Sequence, residues 1–303
     1  MYLALVVVLA LGKKNTDKAL NMTHNRAALW MIGAIVSFTS MAVAGRAITG
    51  HLDTFEIMLY RSIVSFFIVI TVAKLTGTYR DINFKYFRLH ILRNIFHFIG
   101  QNLWFFALPI IPLAQLFAFE FTSPIWVLLL APIFLGEVIT QRKLAIAALG
   151  FVGVLIVARP EINGLDIGIL AAAASAIGFA GAAILTRKLT VHNSLTKILF
   201  FLTGLQILFG LICAGYDGNI SIPNSVTLPW LILIGVAGLA AHFCMTKSLT
   251  LAPASVVMPV DFVRLPLIAV IGVIFYGEAV DIYVFMGAVL ILAANYLNLK
   301  QRR

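Results

Sequence analysis

The sequence predicts an all-α polytopic membrane protein in which ten transmembrane helices form two inverted five-helix repeats. Three observations carry this expectation. Apolar residues make up 61% of the 303 residues and charged residues only 11%, against about a quarter charged in a soluble domain. Apolar runs of about twenty residues recur along the whole length, each long enough for a hydrocarbon core of about 30 Å. The chain also partly overlays itself when shifted by 141 residues. In lipid only helices and closed barrels satisfy their backbone, and these runs are too long, and lack the alternation, for barrel strands.

Taken in order, residues 1–26 precede the first span. Their opening run, Met1 to Leu11, is apolar but too short to cross. It has no preceding basic residue and no small-residue cleavage site, so a secretory signal fits poorly. The expectation is an interfacial segment, or a true start at Met22. Ten spans follow at 27–47, 54–73, 89–108, 113–133, 143–158, 164–185, 197–215, 228–249, 254–275 and 281–299, joined by short connections.

Basic residues set the limits and the orientation of these spans. Lys13, Lys14, Lys18 and Arg26 precede span 1, and Lys74, Arg80, Lys85 and Arg88 separate spans 2 and 3. Arg142 and Lys143 follow span 4, and Arg187, Lys188 and Lys197 follow span 6. Lys247 closes span 8, and a basic tail, 300–303, ends the chain. The alternate loops hold little more than Arg46 and Arg159, beside acids such as Asp166, Asp217, Glu278 and Asp281. The positive-inside rule puts both termini in the cytoplasm, as an even number of spans requires. The net charge of +10 is therefore read as loop asymmetry, with lipid and not nucleic acid as the partner. Cys213 and Cys244 both fall in apolar runs and are expected to pack, not to form a disulfide framework.

The repeat explains the architecture. "LPIIPLAQLFAFEFTSPIWVLLLAPIFLGE", ending at Glu137, overlays "LTLAPASVVMPVDFVRLPLIAVIGVIFYGE", ending at Glu278. The same shift matches Arg46 to Arg187, Thr49 to Thr190, His51 to His192 and Pro112 to Pro253. The copies are 27–160 and 161–299. Five spans each is an odd number, so the second copy enters from the opposite side, as in secondary transporters that bind substrate near the midplane between halves. The ten spans, the halved repeat and the "PIWVLLLAPIFLGE" and "PLIAVIGVIFYGE" endings resemble the drug/metabolite transporter superfamily, and within it the EamA-type permeases. That resemblance implies movement of small metabolites, often amino acids, driven by an ion or by exchange.

Glu120 lies inside span 4, where a charged group at the helix centre costs roughly 2.5–3.5 kcal/mol on insertion scales. At the 141 shift it falls on Asp261 in span 9. With a rise of about 1.5 Å per residue both acids lie roughly 10–12 Å deep, flanking the midplane from opposite sides. Arg61 in span 2 matches Glu120 in depth, and Arg264 stands at i+3 from Asp261 on the same face. Two readings follow: buried ion pairs that fix packing, or acids that bind a proton or a cationic group of the substrate. Span 3 adds a polar stripe, with Arg93, His97, Gln101 and Trp104 at helical spacing. Gln101 corresponds to His242 in the second copy. His97 either titrates or hydrogen-bonds in packing, and Trp104 either lines the path or packs. Tyr60 neighbours Arg61.

Glu137 and Glu278 are expected to bond backbone at the ends of spans 4 and 9. Pro109, Pro112 and Pro124, with Pro253, Pro259 and Pro266, are expected to kink or break the same spans, because proline removes a backbone donor. No phosphate-cradling loop, HExxH helix or GxSxG elbow occurs in the chain, so ATP hydrolysis and the hydrolase classes are not expected. No cofactor and no metal are expected. The expectation is a secondary active inner-membrane transporter of a small polar metabolite, not an enzyme, coupled to a proton or an exchanged metabolite and acting as monomer or homodimer. Amino-acid export comes first and uptake of a nucleoside-like metabolite second. The site residues are Glu120, Asp261, Arg61, Arg264, His97, Gln101, Trp104 and His242, in a cavity between the halves lined by spans 3, 4, 8 and 9 with parts of 1, 2, 6 and 7.

Overall fold

The structure, a computed structural model, describes the backbone at residues 2–136, 138, 140–159, 166–252, 257, 260–279 and 281–301, and side chains from residue 25 to residue 298 apart from Leu135. Eleven α-helices occur among them: α1 (Tyr2–Ala47), α2 (Thr54–Leu75), α3 (Phe87–Ala107), α4 (Leu113–Glu120), α5 (Ser123–Leu135), α6 (Gln141–Ala158), α7 (Ile167–Thr190), α8 (Leu195–Ala214), α9 (Thr227–Leu251), α10 (Arg264–Tyr276) and α11 (Ile282–Gln301). Seven stretches among the described residues are long and apolar enough to cross a membrane unaided, counting α4 and α5 together as Leu113–Phe134. The other three spans are α3, whose polar stripe lowers its hydropathy, and the shorter apolar helices Arg264–Tyr276 and Ile282–Asn298. Ten spans result. Residues 2–26, expected as a separate segment, continue α1 as one helix.

Local sequence sets the helix limits. Asp53 and Glu56 form a capping box at the start of α2, with Glu56 N–H donating to Asp53 Oδ1 at 2.8 Å and Asp53 N–H to Glu56 Oε2 at 2.9 Å. Asp166 caps α7 through the Gly168 N–H at 2.7 Å. These groups satisfy amide donors that the first helical turn leaves unpaired. The glycine in each Gly-Glu ending has a geometric cause. Gly136 ends α5 at φ 68° and Gly277 ends α10 at φ 63°, and a left-handed helix end favours glycine.

The packing has the symmetry that the repeat demands. α1 packs chiefly against α9, α3 against α7, α2 against α8 and α6 against α11, and span 4 meets span 9 where α4 touches α10. Exchanging the two copies turns the first pair into the second and returns the other three to themselves. A pseudo-two-fold axis relates the halves. Small residues let the backbones approach: a Cβ at Gly178 in α7 would stand 2.8 Å from Gly100 Cα in α3, and one at Gly153 in α6 would stand 2.6 Å from Gly287 O in α11. Glycines at helix crossings of this kind are common in lipid, where close van der Waals contact drives association.

The start of α2 is tied to the loop after α8, and the start of α8 to the loop that leads into α3. Ser221, in the loop after α8, donates its N–H to Glu56 Oε1 at 2.6 Å and accepts from Tyr60 Oη at 2.8 Å. At the other end, Lys197 Nζ donates to Asn83 Oδ1 at 2.7 Å and to Lys85 O at 2.9 Å. Arg46 pairs with Glu278, and Arg159 with Asp281. Glu278 also accepts the Leu113 N–H at 2.9 Å. It thus bonds a helix-end backbone, as expected; Glu137 lies outside the described residues.

Span 4 is broken, as its prolines suggested. α4 ends at Glu120, Phe121 and Thr122 form a turn, and α5 restarts with Pro124 in its first turn. Span 9 breaks at Phe262 and Val263, before α10 and Pro266. The two turns are related by the same 141-residue shift, and each follows directly on its acid. Pro253 and Pro259 lie outside the described residues. The carbonyl freed at Phe121 accepts from Asn295 Nδ2 at 2.6 Å, so it bonds protein and does not stand open to a substrate. Cys213 and Cys244 are free thiols and form no disulfide.

Candidate functional site

All eight residues singled out from the sequence converge on the middle of the bundle, in two clusters. The first is built around Arg264 at the start of α10. Its Nη1 lies 3.0 Å from Glu120 Oε1, and its Nη2 donates to Asp261 Oδ2 at 3.1 Å. Trp104 Nε1 donates to the second oxygen of Glu120 at 2.9 Å. The rings of Phe38, Phe117 and Phe121 surround the guanidinium, with centroids 4.7, 5.2 and 5.0 Å from its carbon. A desolvated guanidinium gains from such ring faces. Asp261 Oδ1 is buried without a hydrogen-bond partner.

This geometry corrects one expectation. The partner of Glu120 is Arg264, not Arg61. Depth matching compared one helix with another along the membrane normal, and it carries no information about which helices touch. The break in span 9 turns the start of α10 so that one guanidinium reaches the acids of both copies.

The second cluster is built around Arg61, which is 7% exposed. It meets no carboxylate among the described residues. With the Gln101 amide turned so that its oxygen faces Arg61, that oxygen accepts from Nη1 at 2.9 Å and Nη2 at 3.1 Å, and the amide nitrogen donates to His97 Nε2 at 3.3 Å. The His97 and His242 rings lie 5.9 Å apart, so the repeat-related Gln101 and His242 meet at the centre. Arg93, one turn away on α3, is buried and held by Thr186 Oγ1 and Asn94 Oδ1, each at 3.0 Å.

A small polar cavity of about 20 Å³ opens beside Arg61, Ser65, Thr203, Gln206 and His242. One water-sized group needs roughly 10–15 Å³ measured in this way. The void lies between α2, α8 and α9, which are spans 2, 7 and 8 of the expected lining, and no described residue of spans 3, 4 or 9 borders it. Glu120 and Asp261 do not line it. Asp261 is buried beside the aromatic rings, and Glu120 is half-buried at their edge. A larger cleft of about 330 Å³ runs between α4, α10 and α11, but its walls are mainly apolar, with Pro112, Val270 and Val284 among them.

Sequence reasoning passed over Gln206 of α8. It is 2% exposed, and neither atom of its amide has a partner. A lone glutamine in the run Leu205 to Phe209 is a readable signal, since polar groups in a lipid-spanning helix are costly. Phe38, Phe117 and Phe121 gave no such signal, because a phenylalanine in an apolar span looks the same whether it faces lipid or a cation. Among the described residues no cluster of potential ligands could hold a metal ion.

Comparison with known proteins adds chemistry to this geometry. The EamA-like transporter family matches the chain twice, over residues 25–159 and 166–300. The riboflavin transporter of Rhizobium johnstonii is 30% identical over 209 residues, 68% of either chain. That of Vibrio cholerae is 27% identical over 270 residues, covering 88% of this chain and 90% of the relative. The S-adenosylmethionine uptake transporter of Rickettsia bellii is 26% identical over 269 residues, with the same shares. A solved crystal structure, 17% identical, superposes with a TM-score of 0.60 over 89% of this chain and 95% of its own, so the fold is shared.

Proposed function

Since the chain belongs to the EamA-like transporter family, we propose that it is a secondary active uptake permease of the inner membrane for a heterocyclic, nucleoside-like metabolite. Both termini would be cytoplasmic, and the two halves would rock about the central clusters. The family and the transporter names of the relatives indicate transport and not enzymatic conversion. Riboflavin and S-adenosylmethionine, named for the relatives, each join a flat heterocycle to a hydroxylated carbon skeleton. Amino-acid export, the first expectation from sequence, has no counterpart in those names.

The observation that carries the reading is the buried polar centre, assembled from α2, α3 and α4 of one copy and α8, α9 and α10 of the other. Polar groups at this depth in a membrane helix are expensive and mark pathways. Glu120 and Asp261 would take the coupling proton or respond to an exchanged metabolite, while Arg264 holds them. His97, Gln101, Trp104 and His242 would line the path from Arg61. Trp104 would signal occupancy to Glu120 through its indole hydrogen bond.

The test is uptake by the purified full chain in vesicles, with labelled riboflavin and labelled S-adenosylmethionine as probes. Accumulation of either one, abolished by Glu120→Gln or Asp261→Asn, supports the reading. No accumulation of either, in both orientations and with a proton gradient imposed, would remove it.

A further inference from the structure

The two clusters differ in formal charge. Around Arg264 two carboxylates share one guanidinium, which leaves one negative charge in excess when both are ionised. Around Arg61 the sign is reversed, because among the described residues its charge meets only neutral acceptors, Gln101 and the Met41 sulfur. Arg93, bonded to a hydroxyl and an amide, adds a second uncompensated cation within electrostatic reach of His97 and His242. Unpaired charge in a low-dielectric interior is costly, and both kinds occur here side by side.

The clusters are neighbours. The Phe38 ring lies 4.7 Å from the Arg264 guanidinium and 5.7 Å from the His242 ring. On α3, Gln101 reaches Arg61 and Trp104, three residues on, reaches Glu120. One helical turn, about 5 Å of rise, separates the two contacts. Each cluster also keeps an unsatisfied buried group: both amide atoms of Gln206 on the positive side and Asp261 Oδ1 on the negative side. The small cavity opens onto Arg61 and Gln206.

We infer that the two clusters are the poles of one binding site for a zwitterionic metabolite. The carboxylate docks on Arg61 and Gln206. The cationic group, several bonds away, is drawn past the Phe38 ring to the excess charge of Glu120 and Asp261. The inference rests on the permease reading and narrows it: of the two kinds of substrate named for the relatives, the charged amino-acid-bearing sulfonium matches both poles, and a neutral flavin matches neither. A guanidinium and a carboxylate form a charge-assisted, two-pronged pair, and three aromatic rings beside two acids favour a soft cation.

The test is equilibrium binding to the purified full chain, using S-adenosylmethionine, its decarboxylated form and riboflavin, with Arg61→Gln, Arg61→Lys and Gln206→Leu. Arg61→Gln should weaken S-adenosylmethionine tenfold or more. Arg61→Lys should restore most of that loss, and Gln206→Leu should weaken binding severalfold. The decarboxylated form should bind the wild type and Arg61→Gln within twofold of each other, since it has no group for Arg61. Equal weakening of both sulfonium probes, or tighter binding of riboflavin than of S-adenosylmethionine, overturns the inference. So does a wild type that binds none of the three, while vesicle uptake of riboflavin in that case would leave the permease reading intact. A chain that binds in the expected pattern but moves no probe across vesicles supports the site and removes the permease reading.

Discussion

Replacing Arg264 by leucine should be far more damaging than removing the whole charged group around it. Among the described residues Arg264 is the only cation that touches Glu120 and Asp261, at 3.0 and 3.1 Å. Its side chain is 4% exposed, and those of Glu120 and Asp261 are 18% and 2% exposed. Removing one partner of a buried pair costs about 3–5 kcal/mol, because the remaining charge is left without compensation. The ring faces of Phe38, Phe117 and Phe121 lose their cation at the same time, at about 0.5–1 kcal/mol or more for each significant contact. Leucine returns part of that through packing, so the net expectation for Arg264→Leu is a loss of about 4–5 kcal/mol. A buried ion cluster is seldom better than a neutral isostere. The triple variant Arg264→Leu, Glu120→Gln, Asp261→Asn should therefore return to within about 1–2 kcal/mol of the wild type. Reversible unfolding in mixed micelles, titrated with a denaturing detergent and followed by circular dichroism, measures both. If Arg264→Leu alone is as stable as the wild type, the cluster is hydrated and not sealed. If the triple variant is no better than the single one, charge compensation is not what Arg264 supplies.

Three further outcomes are expected, each read from the same unfolding titration. Trp104→Phe keeps the ring contacts with Phe105 and Phe117 but removes the donor to Glu120, and should cost about 1.5–3 kcal/mol, the usual worth of a hydrogen bond to a charged group; a neutral effect would mean that water replaces the indole. Gly178→Val should cost at least about 1–3 kcal/mol through overpacking, because even a Cβ there would press on the α3 backbone at Gly100; tolerance would show that α3 and α7 separate easily. Gly277→Ala should cost about 1–2 kcal/mol for forcing a side chain into the left-handed region, since open space around it removes any steric contribution.

The ten-span count, the inverted repeat and the equivalence of Glu120 and Asp261 were legible in the sequence, because each depends on order along one chain. Periodicity and a single shift of 141 residues suffice for them. The breaks after the two acids were legible too, since proline acts on its own helix. What was not legible is contact between helices at equal depth. Arg61 and Arg264 both count as mid-span from the sequence, and only the bundle geometry decides which one reaches Glu120. The same reason hid the aromatic ring set, whose members come from α1, α4 and the turn after it. Gln206 is a different case: its polarity in an apolar run was visible in the sequence, and its partnerless burial is visible only in the bundle.

The ties that α2 and α8 make to loops bear on how such a protein could move. One end of α2 is pinned to the loop after α8, and the start of α8 is pinned to the loop before α3, so these ends resist separation. Displacement in the bundle then has to be taken up by segments that are already jointed, and those are spans 4 and 9, each interrupted one residue past its acid. Arg61 and Gln206 stand on the pinned helices, while Glu120 and Asp261 stand beside the joints, so bending there would change the gap between the opposite charges.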